Sequence, residues 1–223
     1  MIDNHSHTAR PDAVVNLDPS SMEMRDLRLR RGCLYSVGIH PWNVGIATAA
    51  DMRWVRALAA DPRVVAIGET GLDLAHISYG WVWKENRWEV EQVAPDLDSQ
   101  MAMLDYHIFL SEHLHKPLIL HIVKRYPEII KLKNKLKPAQ PWVIHGFRGK
   151  PGLAQDLLKF GFYLSYGEKF NPLSVAVTPP SRLLVETDDS SVPVSRVAEA
   201  LGVRPRITIP ALCAASQRVA QKS

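Results

Sequence analysis

Short apolar runs punctuate the chain, and longer stretches of mixed polarity separate them. The runs Met1–His5, Ala13–Asn16, Leu34–Gly38, Val64–Gly68, Pro117–Ile122, Trp142–His145, Phe162–Ser165 and Leu183–Glu186 are rich in Val, Ile, Leu or aromatic residues. Continuous apolar runs of this length suit strands buried on both faces. Between most of them, apolar positions fall at helical spacing. Asp51–Ala60 carries Met52, Val55, Leu58 and Ala59, and Asp98–Leu114 carries Met101, Leu104, Ile108 and Leu114. Pro151–Gly161 opens with proline and closes with glycine, and Ser195–Leu201 stops at Gly202, which is the polarity of helix boundaries.

Strand and helix alternating in this way predict βα units and a parallel sheet, hence the α/β class. Eight strands fit a (β/α)8 TIM barrel, whose usual size is about 250 residues with a lower range near 200. With 223 residues, the chain predicts one somewhat abbreviated barrel domain over residues 1–223. The stretch Thr8–Arg31 is thin, with one strand and barely one helix. An open doubly wound sheet is the alternative architecture. Ala75–Asp96 places Trp81, Trp83 and Trp88 among charged residues without a clean period. It reads as an active-site loop or an insertion, because structureless loops of that length usually have a role.

Composition adds bounds. The chain is 46% hydrophobic and 22% charged, which suits a soluble domain with a substantial core. No apolar run approaches the roughly 20 residues that span a bilayer, and no secretory signal opens the chain. A cytoplasmic location and no membrane partner are the expectation. Cys33 and Cys213 are far apart and read as reduced thiols. The net charge of +4 is compatible with polyanionic substrates without pointing to them specifically.

Candidate chemistry begins at IDNHSHT, Ile2–Thr8. In an extended segment residues i and i+2 face the same way, so His5 and His7 project together. Such a pair can grip a metal, face phosphate, or decorate a solvated terminus. Other predicted strands also end in ligand-type residues: Glu69 after VVAIG, His121 after PLIL, His145 after PWVI, and Asp188 after RLLVET. Strand C-termini converge on one mouth of a barrel. Imidazoles and carboxylates gathered there predict a two-metal hydrolytic site. His40 in GIHP, Arg148 in HGFRG and Lys124 in HIVKRY are candidates for contact with a substrate phosphate. His76, His107, His113 and His115 are expected to be non-ligands, the last three as surface residues on one helix. The lysines of Lys131–Lys137 read as a solvated helix face, with steering of nucleic acid as the alternative.

HSH at His5–His7, GIHPW at Gly38–Trp42, GETGLD at Gly68–Asp73, LH at Leu120–His121, HGFRG at His145–Gly149 and ETDDS at Glu186–Ser190 occur in that order. This ordered set resembles the TatD family of metal-dependent hydrolases, within the amidohydrolase-like barrels, over roughly Met1–Gly202. The resemblance implies a divalent-metal-dependent phosphodiesterase, with many members acting as 3′→5′ deoxyribonucleases. It implies that His5, His7 and Asp188 serve one metal, that His121 and His145 serve a second, and that Glu69 bridges them. Asp188 and Glu69 would be the catalytic carboxylates, with Asp188 orienting the attacking water and receiving its proton. The ions would be Mg²⁺, Mn²⁺ or Zn²⁺, nucleic acid the substrate, and the protein a monomer. Two departures bear on substrate preference. Val123 stands where the family commonly has arginine, and HGFRG replaces the common HCFSG. A hydrolase of small amides or esters and a non-catalytic metal or nucleic-acid binding protein are the competing readings.

Overall fold

The computed structural model describes residues 1–20, 29–75, 78–85, 87–93, 97–202 and 204–221. Eight strands pair in parallel in the order β1 (Asp3–Ser6), β2 (Ala13–Leu17), β3 (Leu34–Val37), β4 (Val64–Asp73), β7 (Leu118–Val123), β8 (Trp142–Ile144), β9 (Tyr163–Tyr166) and β10 (Leu183–Val185). A Ser6–Asp188 bridge then brings the two edge strands together. The sheet is therefore a nearly closed (β/α)8 barrel and not the open alternative. Helices α1 (Ala49–Ala59), α2 (Leu97–Leu114), α3 (Tyr126–Leu136), α4 (Pro151–Lys159), α5 (Pro172–Val177) and α6 (Val194–Leu201) pack outside. The four helices expected from periodicity and boundary residues fall within two residues of their expected limits.

Alternation along the strands sorts side chains into two apolar layers. Ala13, Val15 and Leu17 of β2 face the helices, as do Leu118 and Leu120 of β7. Val14, Val65, Ala66, Ile119, Val143 and Leu184 form a separate interior cluster with Ile209, Leu212 and Cys213. The last three belong to α7 (Ile209–Ala220), which caps the lower end of the barrel. Asn4 fastens that cap by accepting from the Ile209 N–H at 2.7 Å. With its lower half filled by apolar side chains, the barrel is left with a polar upper half.

Ala75–Asp96 departs from the expected loop. Residues Ser78–Lys84 (β5) and Arg87–Val93 (β6) pair antiparallel as a separate two-stranded ribbon. Its β-branched and aromatic residues suit strand pairing even without long-range helical or barrel periodicity. His76 lies outside the described residues, as do residues 21–28 between β2 and β3.

The lysine run also differs from expectation. Lys131, Lys135 and Lys137 are exposed, but Lys133 is half-buried, with its Nζ 5.0 Å from the ring centroids of both Trp142 and Phe162. Burial, aided by the charge of Arg182, lowers its pKa to about 8. Every fourth residue of a helix returns near the same face, so one lysine of the run turns inward along an aromatic wall.

His107 is a correction. It was expected at the surface, and it is fully buried. Its Nε2 accepts from the Ile39 N–H at 3.0 Å, and its Nδ1 lies 2.7 Å from the Met103 carbonyl. The two bonds together require the neutral Nδ1–H tautomer. Burial pushes its pKa down to about 4. An unfolded histidine takes up its proton near pH 6.5. The His107 contribution is thus complete above pH 6.5 and is lost as pH falls towards 4. Between pH 7 and pH 5 this linkage amounts to roughly 2 kcal/mol. We expect urea titrations of wild type and His107→Gln to show a larger loss of stability over that interval for wild type. Parallel losses would show that His107 is not the titrating group.

Candidate metal centre

The polar upper half of the barrel is organised around Glu69. Its strand reaches that position between two close backbone approaches. A Cβ on Gly68 would lie 2.4 Å from the Ile119 carbonyl oxygen, and one on Gly71 would lie 2.0 Å from that of His121. Both glycines also have positive φ, at 119° and 148°. Only glycine meets both demands, which gives GETG its chemical sense. The Glu69 N–H donates to Asn16 Oδ1 at 2.8 Å, and Asn16 also accepts from the Ser36 hydroxyl.

Five imidazoles surround the buried Glu69 carboxylate, and they divide between its oxygens. His5 Nε2 and His7 Nε2 lie 3.3 and 3.5 Å from Oε2. His145 Nε2, His121 Nδ1 and His40 Nε2 lie 2.6, 2.9 and 3.2 Å from Oε1. Asp188 Oδ1 joins the first set, 3.7 Å from His5 and 3.4 Å from His7. The seam of the barrel makes this meeting possible, because the His7 N–H donates to the Asp188 carbonyl and the Asp188 N–H to that of His5. Beneath the seam, Asp3 accepts from the Thr187 backbone and hydroxyl and pairs with Arg10. A register irregularity in β1 between Asp3 and Ser6 accompanies the change from Asn4, which meets α7, to His5, which meets Glu69.

The six expected ligands therefore converge at one end of the barrel. His40 is brought in as well. Its Nδ1 accepts from the Trp42 N–H at 3.2 Å, which leaves the proton of the neutral ring on Nε2. Burial lowers its pKa and keeps the ring neutral. His40 donor atoms fall within metal-holding distance of Glu69 and His121, but this tautomer makes His40 a hydrogen-bond donor. Arg148 and Lys124 line a neighbouring cavity of about 760 Å³ that opens onto His121, His145 and Asp188.

Residues passed over in the sequence support the ligands. Asp73 Oδ2 lies 3.1 Å from His121 Nε2 and accepts from Trp42 Nε1 at 2.6 Å. Its carboxylate accepts from His121 Nε2 and so turns Nδ1 towards Glu69. Glu186 Oε1 lies 3.4 Å from His145 Nδ1 and accepts from the Gly146 N–H. Asp18 accepts from the His40 N–H at 2.8 Å and from Asn43 Nδ2 at 2.9 Å. Asp73 carried a signal: it stands four residues from Glu69 in an extended segment, on the same face.

The charge states follow from this crowding. Burial alone would raise the Glu69 carboxyl, but His145 and His5, with hydrogen bonds from His121 and His145, hold it well below the ordinary carboxylate range. Burial likewise opposes ionisation of Asp188, yet His7, His145 and His5 keep its pKa low. Hydrogen bonds to Asp188 and Glu69 raise His7 to about 10. Protons on the imidazoles occupy the place that cations would take.

The residues fit divalent metal. His5 Nε2 and Glu69 Oε2, which face each other across the centre, are buried without a hydrogen-bond partner. An unmet buried polar atom costs about 1–3 kcal/mol, which a ligated cation removes. Donors of His5, His7 and Glu69, and separately of His5, His145 and Asp188, lie within 4.8 Å of one another. Imidazole with carboxylate suits Zn²⁺ and Mn²⁺ and admits Mg²⁺.

Comparison with known proteins agrees with this geometry. The model of the family described as TatD related DNase matches residues 2–200. An uncharacterized metal-dependent hydrolase of Escherichia coli, YcfH, is 31% identical over 79% of this chain and 63% of its own length. A similar Bacillus subtilis protein, YabD, is 30% identical over 69% of this chain and 57% of its own. A Klebsiella pneumoniae protein named 3′-5′ ssDNA/RNA exonuclease TatD is 28% identical over 78% and 63%. The chain thus spans about six-tenths of the length of these curated relatives. The crystal structure of YJJV, a TatD homolog from E. coli, shares the fold, with a TM-score of 0.67 and 20% identity over 92% of this chain and 83% of its own.

Asp73→Asn removes the charge that orients His121. Loss of such an outer carboxylate typically weakens metal binding about 10–100-fold. Competition against a chelator of known affinity measures it, and an unchanged affinity would remove Asp73 from the support of the centre.

Proposed function

The chain belongs to the TatD-related DNase family, and from that premise we propose that it is a divalent-metal-dependent phosphodiesterase acting on nucleic acid. The observation that carries the reading is the division of imidazoles between the two Glu69 oxygens. On this reading His5, His7 and Asp188 would hold one ion and His121 and His145 a second, with Glu69 shared between them. Ions there would supply Lewis acidity and bring water into its ionisation range at neutral pH.

The protein's own groups account for the remainder. Asp188 stays ionised and half-open to the cavity, and its carboxylate takes the proton of the attacking water. Water adds at phosphorus, the ester P–O bond breaks, and the leaving oxygen takes a proton from solvent in the open cavity. His40 Nε2–H donates to a phosphate oxygen. Lys124, Arg148 and Lys169 line the larger cavity, and all three are exposed and without a carboxylate partner among the described residues. Their charge is available to substrate phosphates, which favours an anionic ester over a neutral amide. The exonuclease named in K. pneumoniae supports a 3′→5′ single-strand activity.

Two measurements test this function. Metal-stripped protein is given 3′-labelled single-stranded DNA, with Mg²⁺, Mn²⁺ and Zn²⁺ restored separately, and Asp188→Asn is assayed alongside with its metal content. The variant should lose at least about 10²–10⁴-fold in turnover, the worth of a general base, while the His121–His145 ion remains. Near-normal cleavage would remove Asp188 from the chemistry.

Binding of the oligonucleotide should weaken steeply with salt as condensed counterions are released. Arg148→Glu should raise KM more than it lowers kcat. Salt-independent hydrolysis of a neutral amide, with none of oligonucleotides, would instead favour a small-molecule hydrolase.

A further inference from the structure

Tryptophan is usually well buried, and where it is not, a binding role is worth examining. Trp42 is 49% exposed at the mouth of the metal centre. It lines both cavities there, the larger one and a smaller one of about 340 Å³ that holds Asn16, Asp18, His40 and Glu69. The exposed ring is nevertheless held in place. Its Nε1 donates to Asp73 Oδ2 at 2.6 Å. It meets His40 at 4.8 Å and His121 at 5.9 Å between ring centroids, with interplanar angles of 79° and 73°. A turn at Pro41–Asn43, capped by the His40 side chain, sets its backbone.

We propose that Trp42 is a stacking platform for the nucleobase adjoining the scissile phosphate, an inference that rests on the phosphodiesterase reading above. Three observations converge on it. The ring is anchored at its edge, so ordering it on binding costs little. It borders the metal centre on one side and the cavity of Lys124, Arg148 and Lys169 on the other, so a base against it leaves its own phosphates within reach of both. Among the described residues lining the two cavities, Trp42 and Tyr126 are the aromatic rings apart from the histidines, and the Tyr126 ring packs edge-on against buried Phe147. Every base has a π face, so such a platform selects for an unpaired end without selecting a sequence. The ligand chemistry is therefore a single-stranded nucleotide terminus of any base.

The experiment compares two 5′-labelled single-stranded oligonucleotides that differ only in the 3′-terminal residue, thymidine or an abasic tetrahydrofuran. Wild type, Trp42→Phe and Trp42→Ala are assayed with the metal restored, and metal content is measured on each. Wild type should favour the base-bearing end in kcat/KM by about 5–150-fold, the span of one aromatic–base stack. Trp42→Ala should lower that preference to near unity. Trp42→Phe keeps an aromatic face and loses the bond to Asp73, so it should retain most of the preference. If both variants lose activity equally on both substrates with the preference intact, Trp42 acts through Asp73 and the proposal is overturned. Equal cleavage of both ends by wild type overturns it alone. Cleavage of neither by metal-loaded wild type overturns the phosphodiesterase reading and this inference together.

Discussion

A carboxylate buried among imidazoles is the constraint from which the rest of this structure follows. Removing Glu69 from water is expensive unless charge of the opposite sign meets it on every side. Five imidazoles meet it, arriving from the ends or flanks of four different strands. No local segment can supply them. The barrel is what holds those strand ends within a few ångströms of one another, and the bare imidazoles are equally costly without the carboxylate. Fold and centre are mutually dependent, through electrostatics in the upper half and apolar packing in the lower.

The division between those halves is economical in chain length. Six apolar side chains from five strands, with three more from α7 beneath them, fill the barrel below the centre. The polar residues above are supported by carboxylates, each with a distinct task. Asp73 and Glu186 face the far side of His121 and His145, Asp18 holds the backbone before His40, and Asp3 secures the seam. His107 reaches the same region from outside the barrel by binding the N–H of Ile39, one residue before His40.

Much of this was legible in the sequence because a parallel barrel writes its function at a fixed place, the residue after each apolar run. His5, Glu69, His121 and His145 are readable by that rule, and His7 by its spacing from His5. Asp188 lies one step further out, after the RLLVET run. The less legible residues are of another kind. His107 looks like a surface residue in sequence because helix α2 has little contrast between its faces, and its burial depends on an N–H that only the folded β3 loop presents. Asp73 and Glu186 were within recognised motifs, but a supporting carboxylate looks like any acid until its imidazole partner is in place. The β5–β6 ribbon escaped because its strands pair with each other and owe nothing to the barrel's periodicity.

The seam between β1 and β10 has a temporal meaning as well as a geometric one. Ser6 and Asp188 lie 182 positions apart along the chain, and they pair only when the last strand has reached the first. Contacts of such long range form late, because the entropy of closing the intervening loop must be met before they yield anything. Asp188 thus joins His5 and His7 at the end of folding and not at its start. During synthesis, a chain released only as far as β9 would carry Glu69 and the five histidines that surround it and yet lack Asp188. On the proposed chemistry, competence for hydrolysis is in this sense a report of finished assembly.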